Sequence, residues 1–270
     1  MDSQNLLAPP NKRIVCLSAE AADICARLGA WDDVAAVSAF ASQEGLPPRP
    51  VIGGFSTTDV ARIAALRPNL VITFSDVQAD IAAGLIRAGM NVLTTNQRTL
   101  NEIAGAIRLI GGAIGRPAAA EDLAADFLRD LVALRTGADP APRVYFEEWP
   151  DPMISAIGWV GELIEYCGGV DVFAARRGPA SRDRTVTIEE VVAADPDIIV
   201  ASWCGKPVDI GAIRARPGFA TIRALKVGQI HALDSSQLLQ PGPRVLEGGR
   251  ALFRIFDAWR ACIPAASRSA

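Results

Sequence analysis

The sequence predicts an α/β protein of two Rossmann-like lobes, each built on a parallel sheet, bridged by one long α-helix. Three observations carry this. First, two matching segments lie about 130 residues apart, Thr58–Ile72 and Thr187–Val200. Each reads as a short helix, a Pro-containing turn and a strand. Pro68 and Pro196 end the helices, and the apolar runs after them lack alternation, as in strands covered on both faces. Second, strands and helices alternate on either side at the spacing of a parallel sheet with helical cover. Third, nothing strand-like interrupts the stretch from Leu100 to Leu134. Two lobes facing each other would form a cleft, the usual place for a ligand.

The elements follow in order. Arg13–Ser18 reads as the first strand, and Ala19–Leu28 as a helix stopped by Gly29. Val34–Ser38 is a second strand, followed by a Pro- and Gly-rich loop over Ser42–Phe55. The first repeat ends in strand Leu70–Phe74. Helix Val77–Ala88 precedes strand Asn91–Thr94. Leu100–Ile114 is helical, with Ile103, Ala106, Ile107, Ile110 and Ala113 on one face, and Gly115-Arg116-Pro117 breaks it. Ala118–Leu134 places Leu123, Phe127, Leu131 and Leu134 at helical spacing. A helix of about 20 residues spans roughly 30 Å and can tie one lobe to the next. The second lobe comprises strand Arg143–Phe146, helix Trp159–Cys167, the second repeat with strand Ile198–Ser202, helix Ile210–Ala215, strand Gln229–Leu233 and a closing helix Val245–Trp259. The tail from Pro264 is small and polar and is expected to fray. The expected limits are residues 12–116 for the first lobe, 117–138 for the bridging helix and 139–262 for the second lobe.

Composition narrows the function. The chain has 270 residues, 50% of them hydrophobic, and a net charge of −3. Each lobe can hold its own core. The near-neutral balance argues against a nucleic-acid partner, which would want a basic face. No apolar run reaches the length of a membrane span. Met1–Pro10 has neither a basic nor an apolar leader segment, so a cytoplasmic location is expected, with a periplasmic one as the alternative if a leader has been removed. The five cysteines are odd in number and lack CxxC spacing, which fits unpaired thiols in a reducing compartment. No GxSxG, Walker or GxGxxG pattern occurs.

Arg13-Ile14-Val15-Cys16-Leu17-Ser18, followed by Val60–Ile72, resembles the helical-backbone (class III) family of ABC-transporter solute-binding proteins, which take cobalamin, iron-siderophores or haem. Glu165-Tyr166-Cys167-Gly168-Gly169 and Pro243-Arg244 are most similar to the cobalamin binders of that family. The resemblance runs from Arg13 to Trp259. It implies two α/β lobes, a non-catalytic role and a ligand in the interlobe cleft. It also implies one Glu on each lobe that docks onto arginines of a membrane permease. Glu189 occupies the second-lobe position. Ala61 occupies the first, with Asp59 nearby but out of phase, so coupling to an ABC permease is in doubt. The expectation is a monomeric cytoplasmic relative that keeps the binding cleft.

Candidate ligand contacts come from the loops. Phe40 and Phe55 sit where the resemblance implies rings against a flat macrocycle, and Phe74 ends a strand at the same edge; core packing is the alternative for each. Glu147-Glu148-Trp149-Pro150-Asp151-Pro152 follows a buried strand directly. Acids at the carboxyl end of a parallel strand lie where α/β proteins carry function. They could accept ligand hydrogen bonds or coordinate a hard cation, or they could form a solvated loop. Trp159 could face the same cleft. In Ser202-Trp203-Cys204-Gly205-Lys206, Trp203 could stack, Lys206 could bind an anion, and Cys204 could ligate a soft metal if a neighbour such as Lys206 lowered its pKa; a buried Trp and an inert thiol are the alternative. Gln240 and Arg244 lie in a stiff Pro-Gly loop before the last helix. A cation there is unfavourable to the helix dipole unless it pairs with a ligand or with an acid such as Asp234. His231, the one histidine, reads as a structural group, and a metal at His231 or Cys204 is left open. The expected function is non-catalytic binding of cobalamin or a related corrinoid. The alternatives are a siderophore- or haem-type solute-binding protein, or a two-lobed metal or tetrapyrrole enzyme using Glu147, Glu148 and Cys204.

Overall fold

A computed structural model describes residues 12–263. The expectations for Met1–Pro10 and for the tail from Pro264 lie outside them. The chain forms two compact units. One comprises the chain up to Gln97 together with Gly105–Ala124; the other comprises Arg98–Ala104 and the chain from Ala125 onward.

The first unit holds β1 (Ile14–Cys16), α1 (Ala19–Arg27), β2 (Val34–Ser38), β3 (Val51–Gly53), α2 (Val60–Ala65), β4 (Leu70–Phe74), α3 (Ala79–Arg87) and β5 (Val92–Thr95). Its five-stranded sheet has the order β3-β2-β1-β4-β5, and every pairing is parallel. The apolar runs of β1 and β4 sit at its centre, where both faces are covered. Val15, Leu17, Ile63, Val71 and Leu85 pack in one buried cluster. The chain leaves β1 toward β2 on one side and returns to β4 on the other. The carboxyl ends of β1 and β4 therefore flank a topological switch point, the crevice where open α/β sheets take ligands.

Helices α4 (Leu100–Ala113) and α5 (Pro117–Ala133) follow, and the chain passes between the two units within them. The long helix starts at Pro117, which the sequence reads as a breaker. At a first helical position the missing N–H costs nothing, because no partner exists for it there.

The second unit holds β6 (Arg143–Glu147), a small hairpin of β7 (Trp149–Pro150) and β8 (Met153–Ile154), α6 (Gly158–Tyr166), β9 (Val170–Asp171), α7 (Ile188–Ala194), β10 (Ile198–Ala201), α8 (Ile210–Arg214), α9 (Arg223–Lys226), β11 (Ile230–Ala232) and α10 (Val245–Ala261). Its four-stranded parallel sheet has the order β11-β10-β6-β9. Here β6 has neighbours on both sides, and its carboxyl end, Glu147, lies at this sheet's switch point.

The repeat is structural. Helix α2 leads into β4 beside β1, and α7 leads into β10 beside β6. Even the turns match: Arg67 and Asp195, each directly before the proline, are held in the left-handed region at φ 47° and 40°.

Four features differ from expectation. Strand β3 lies inside the stretch read as loop; Pro47, Pro48 and Pro50 hide it, and prolines are tolerated beside an edge strand. Strand β9 and the β7–β8 hairpin are too short for periodicity to register. The helix expected from Val77 begins as a 3-10 turn over Asp76–Gln78, after Ser75 at φ 59°.

Candidate functional site

In the first unit the switch-point residues are tied together by one buried side chain, Gln78. Its amide N–H groups donate to the carbonyls of Leu17 (3.0 Å) and Phe55 (2.6 Å), and its side-chain oxygen accepts the Phe74 N–H at 2.9 Å. One side chain thus joins the end of β1, the loop carrying Phe55 and the end of β4. Phe55 is half-buried, with its ring 6.3 Å from that of Phe74. Phe74 is buried, so Phe55 presents the pair to solvent. Phe40 is exposed in the turn after β2. Gln78 escaped the sequence reading because it sits in what looks like an ordinary helix start.

In the second unit the Glu147 carboxylate is fully enclosed. It accepts hydrogen bonds from the Tyr145 hydroxyl (3.0 Å), the Trp203 indole N–H (3.0 Å) and both terminal nitrogens of Arg216. Burial, and next the Glu147 charge, push the Tyr145 phenol well up from its ordinary value. Glu148 forms a two-pronged pair with buried Arg184, one prong at 3.2 Å, and Arg184 also donates to the Ser155 carbonyl at 2.7 Å. Both acids are therefore matched by an arginine. This geometry suits positioning groups better than direct ligand contacts or general bases. The arginines lie 36 and 69 residues from their acids, so no local pattern points to them.

Trp149 is half-buried on the β7–β8 hairpin, its indole N–H donating to the Asp151 carbonyl at 2.9 Å. Lys206 is exposed, with its ammonium 4.2 Å from the Trp149 ring centre and 5.0 Å from that of Trp203. Trp203, expected as a ligand-stacking ring, is instead a core residue: it is 5% exposed and packs with Tyr145, Ile199 and Phe219. Trp159 is likewise core, 2% exposed, its indole N–H held by the Leu238 carbonyl at 2.7 Å. Both rings find partners for their polar edges inside the protein, as buried Trp does.

Cys204 is exposed, but desolvation, followed by the Glu148 charge, raises its pKa. That is opposite to the lowering that thiolate coordination needs. His231 is half-buried on β11, 2.9 Å from the Gln229 side-chain oxygen, with its pKa lowered by desolvation. Among the described residues, no group of three or more His, Cys, Asp or Glu could hold a metal ion. Arg244 is paired with Glu247 at 3.6 Å, so the unfavourable charge at the start of α10 is met within the helix. Gln240 is half-buried in the preceding loop.

Ala61 and Glu189 are each the second residue of a repeat helix, α2 and α7, and each is exposed. Asp59 is the N-cap of α2, accepting the N–H groups of Ala61 (2.8 Å) and Arg62 (3.4 Å). Its counterpart is Thr187, the N-cap of α7. Asp59 therefore serves the helix end.

Comparison with known proteins agrees with this architecture. Residues 14–237 match the family described as periplasmic binding protein. The chain is 27% identical over 248 residues to the vitamin B12-binding protein of Vibrio cholerae, covering 88% of this chain and 86% of that one. It is 29% identical over 250 residues to the cobalamin-binding protein of Halobacterium salinarum, covering 87% of this chain and 67% of that one. Among solved structures, the periplasmic heme-binding protein RhuT from Roseiflexus sp. RS-1 aligns with a TM-score of 0.79 at 26% identity, over 93% of this chain and 98% of that one. The vitamin B12-binding protein BtuF of Vibrio cholerae aligns with a TM-score of 0.74 at 25% identity, over 93% and 98%. No helix among the described residues is long and apolar enough to cross a membrane. The chain belongs to the periplasmic binding protein family, in its helical-backbone class of ABC-transporter solute-binding proteins near the cobalamin binders, and is a solute-binding protein rather than an enzyme.

Proposed function

We propose that this chain binds a cobalamin-like corrinoid at the carboxyl ends of its sheet strands, without chemistry on it. The observation that carries the reading is the pair of aromatic edges at the two switch points. Phe55 is held there by buried Gln78, and Trp149 stands on a hairpin directly after the enclosed Glu147–Arg216 pair. Rigid rings offer contact area to a flat macrocycle at low entropic cost. The names of the relatives from Vibrio cholerae and Halobacterium salinarum point to the same ligand class.

Haem is the second reading, favoured by the heme-binding neighbour RhuT. A haem site needs an axial ligand from the protein. Tyr145 is enclosed and desolvation raises the Cys204 pKa, which leaves half-buried His231 and Tyr166 for that role, whereas a corrinoid brings its own axial groups.

The asymmetry of the docking positions, Ala61 on α2 against Glu189 on α7, supports weakened coupling to a permease. The five free cysteines support the reducing, cytoplasmic compartment, while the structural neighbours RhuT and BtuF, both periplasmic proteins, favour the other. Fractionation of the native host separates these; recovery of the protein from the periplasm refutes the cytoplasmic location.

The test of the ligand is titration with cyanocobalamin, followed by the visible corrin bands and by tryptophan fluorescence. Saturable binding at one equivalent is expected, weakened tenfold or more by Phe55→Ala and by Trp149→Ala. Binding of hemin with no response to any corrinoid overturns the assignment.

A further inference from the structure

The geometry points to Lys206 as an anion-recognising residue, and to a ligand that bears a negatively charged substituent. This inference rests on the proposed ligand face of the second unit and goes beyond it by naming a specificity determinant.

The argument begins from a charge balance. The acids at the carboxyl end of β6 are neutralised one for one: Glu147 by Arg216 and Glu148 by Arg184. Arg244 is answered by Glu247. Among the described residues no carboxylate lies within ion-pairing distance of Lys206, so its charge is not met by an ion pair.

Position is the second observation. A surface lysine ordinarily samples many rotamers around a fully hydrated ammonium. Lys206 is instead seated over two rings, 4.2 Å from the Trp149 centroid and 5.0 Å from that of Trp203, both within cation–π range. Trp203 is fixed by its indole hydrogen bond to Glu147 and Trp149 by its bond to the Asp151 carbonyl. The ammonium thus stands at a defined point over the half-buried Trp149 ring and the edge of buried Trp203. Such a wall lowers the local dielectric, so pairing with an anion there is stronger than in open solvent. A lysine acts as a point charge and suits a phosphate or a carboxylate equally. A flat ligand resting on Trp149 with a charged side arm would meet both groups together.

The experiment uses two ligand pairs: haem against its dimethyl ester, which differ in charge alone, and cobalamin against cobinamide, which lacks the phosphodiester together with its ribose and base, so that in the second pair the change between wild type and Lys206→Met reads the anion. Binding to wild type, Lys206→Met and Lys206→Arg is measured at about 50 mM and about 500 mM NaCl. Wild type should prefer the anionic member by about tenfold, or about 1.4 kcal/mol, and lose that preference at high salt. Lys206→Met should abolish both the preference and the salt dependence; Lys206→Arg should keep them. Unchanged urea midpoints show that the exposed substitution has not disturbed the fold. Corrinoid binding that ignores the phosphate and the Met variant overturns the role of Lys206 and leaves the corrinoid reading standing. Haem binding with the expected discrimination refutes the corrinoid and keeps Lys206. Failure of all four ligands to bind wild type refutes both.

Discussion

Trp203→Ala separates a core residue from a ligand contact. The side chain is 5% exposed and packs against Tyr145, Ile199 and Phe219, while its indole N–H donates to the enclosed Glu147 carboxylate at 3.0 Å. Truncating a buried Trp costs about 3–5 kcal/mol through lost transfer energy and the cavity left behind. A hydrogen bond to a charged group contributes about 1.5–3 kcal/mol. The two effects overlap, so about 4 kcal/mol in all is the working figure. Trp203→Phe keeps most of the volume and loses the donor, and should cost about 2 kcal/mol. Trp149→Ala is the control. That ring is half-buried on a two-stranded hairpin, and its removal should cost less than about 1 kcal/mol of stability, near the range of surface changes. The assay is urea unfolding followed by far-UV circular dichroism, which does not depend on the fluorescence of the deleted ring. The expected order of midpoints is wild type, then Trp149→Ala, Trp203→Phe and Trp203→Ala. A Trp203→Ala protein as stable as wild type, with ligand binding lost, refutes the placement of this ring in the core.

Other outcomes follow from single groups. Burial raises the pKa of Glu20 from 4.5 to about 7. The folded protein then holds a proton that the unfolded chain has released, so this group makes stability fall as pH rises from about 4.5 through 7. Glu20→Gln should be close to wild type at pH 5 and more stable by up to about 3 kcal/mol at pH 8; urea midpoints at the two pH values check this. Gly111 and Gly112 are neighbours on α4 with opposite expectations. A Cβ at Gly111 would come within 2.1 Å of the Ala120 Cβ, whereas one at Gly112 meets nothing within 4 Å. Gly111→Ala should therefore destabilise by about 1–3 kcal/mol and Gly112→Ala should stabilise by up to about 1 kcal/mol, read as shifts of opposite sign in thermal midpoint. Ala61→Glu should accelerate association with a solubilised cobalamin-type ABC permease at low salt, since charge complementarity acts mainly on encounter; an unchanged association rate in surface plasmon resonance counts against Ala61 as the missing contact.

The sequence by itself determined the architecture. Short apolar runs without alternation, bounded by turn residues, fit strands covered on both faces, and the Pro-terminated helices before two of them mark the repeat. That logic located β4 and β10 and the helix pair Leu100–Ala133. The resemblance, rather than the residues themselves, singled out Ala61 and Glu189, and the fold puts each second in its repeat helix. The short pieces were illegible: β3 among prolines, two-residue β9 and the hairpin carrying Trp149 fall below the length at which periodicity exists. Burial of polar and aromatic side chains was decided only in three dimensions. Glu147, Trp203 and Trp159 look like site residues in a list of loops and strand ends, yet Glu147 is paired with Arg216, Trp203 donates to Glu147 and Trp159 donates to the Leu238 carbonyl. Those partners are brought in by elements far along the chain, and no local pattern encodes them. The same is true of Gln78 and of the charge balance around Lys206. A side chain's type is local information, but whether its charge or its ring is already answered depends on what the rest of the chain folds against it.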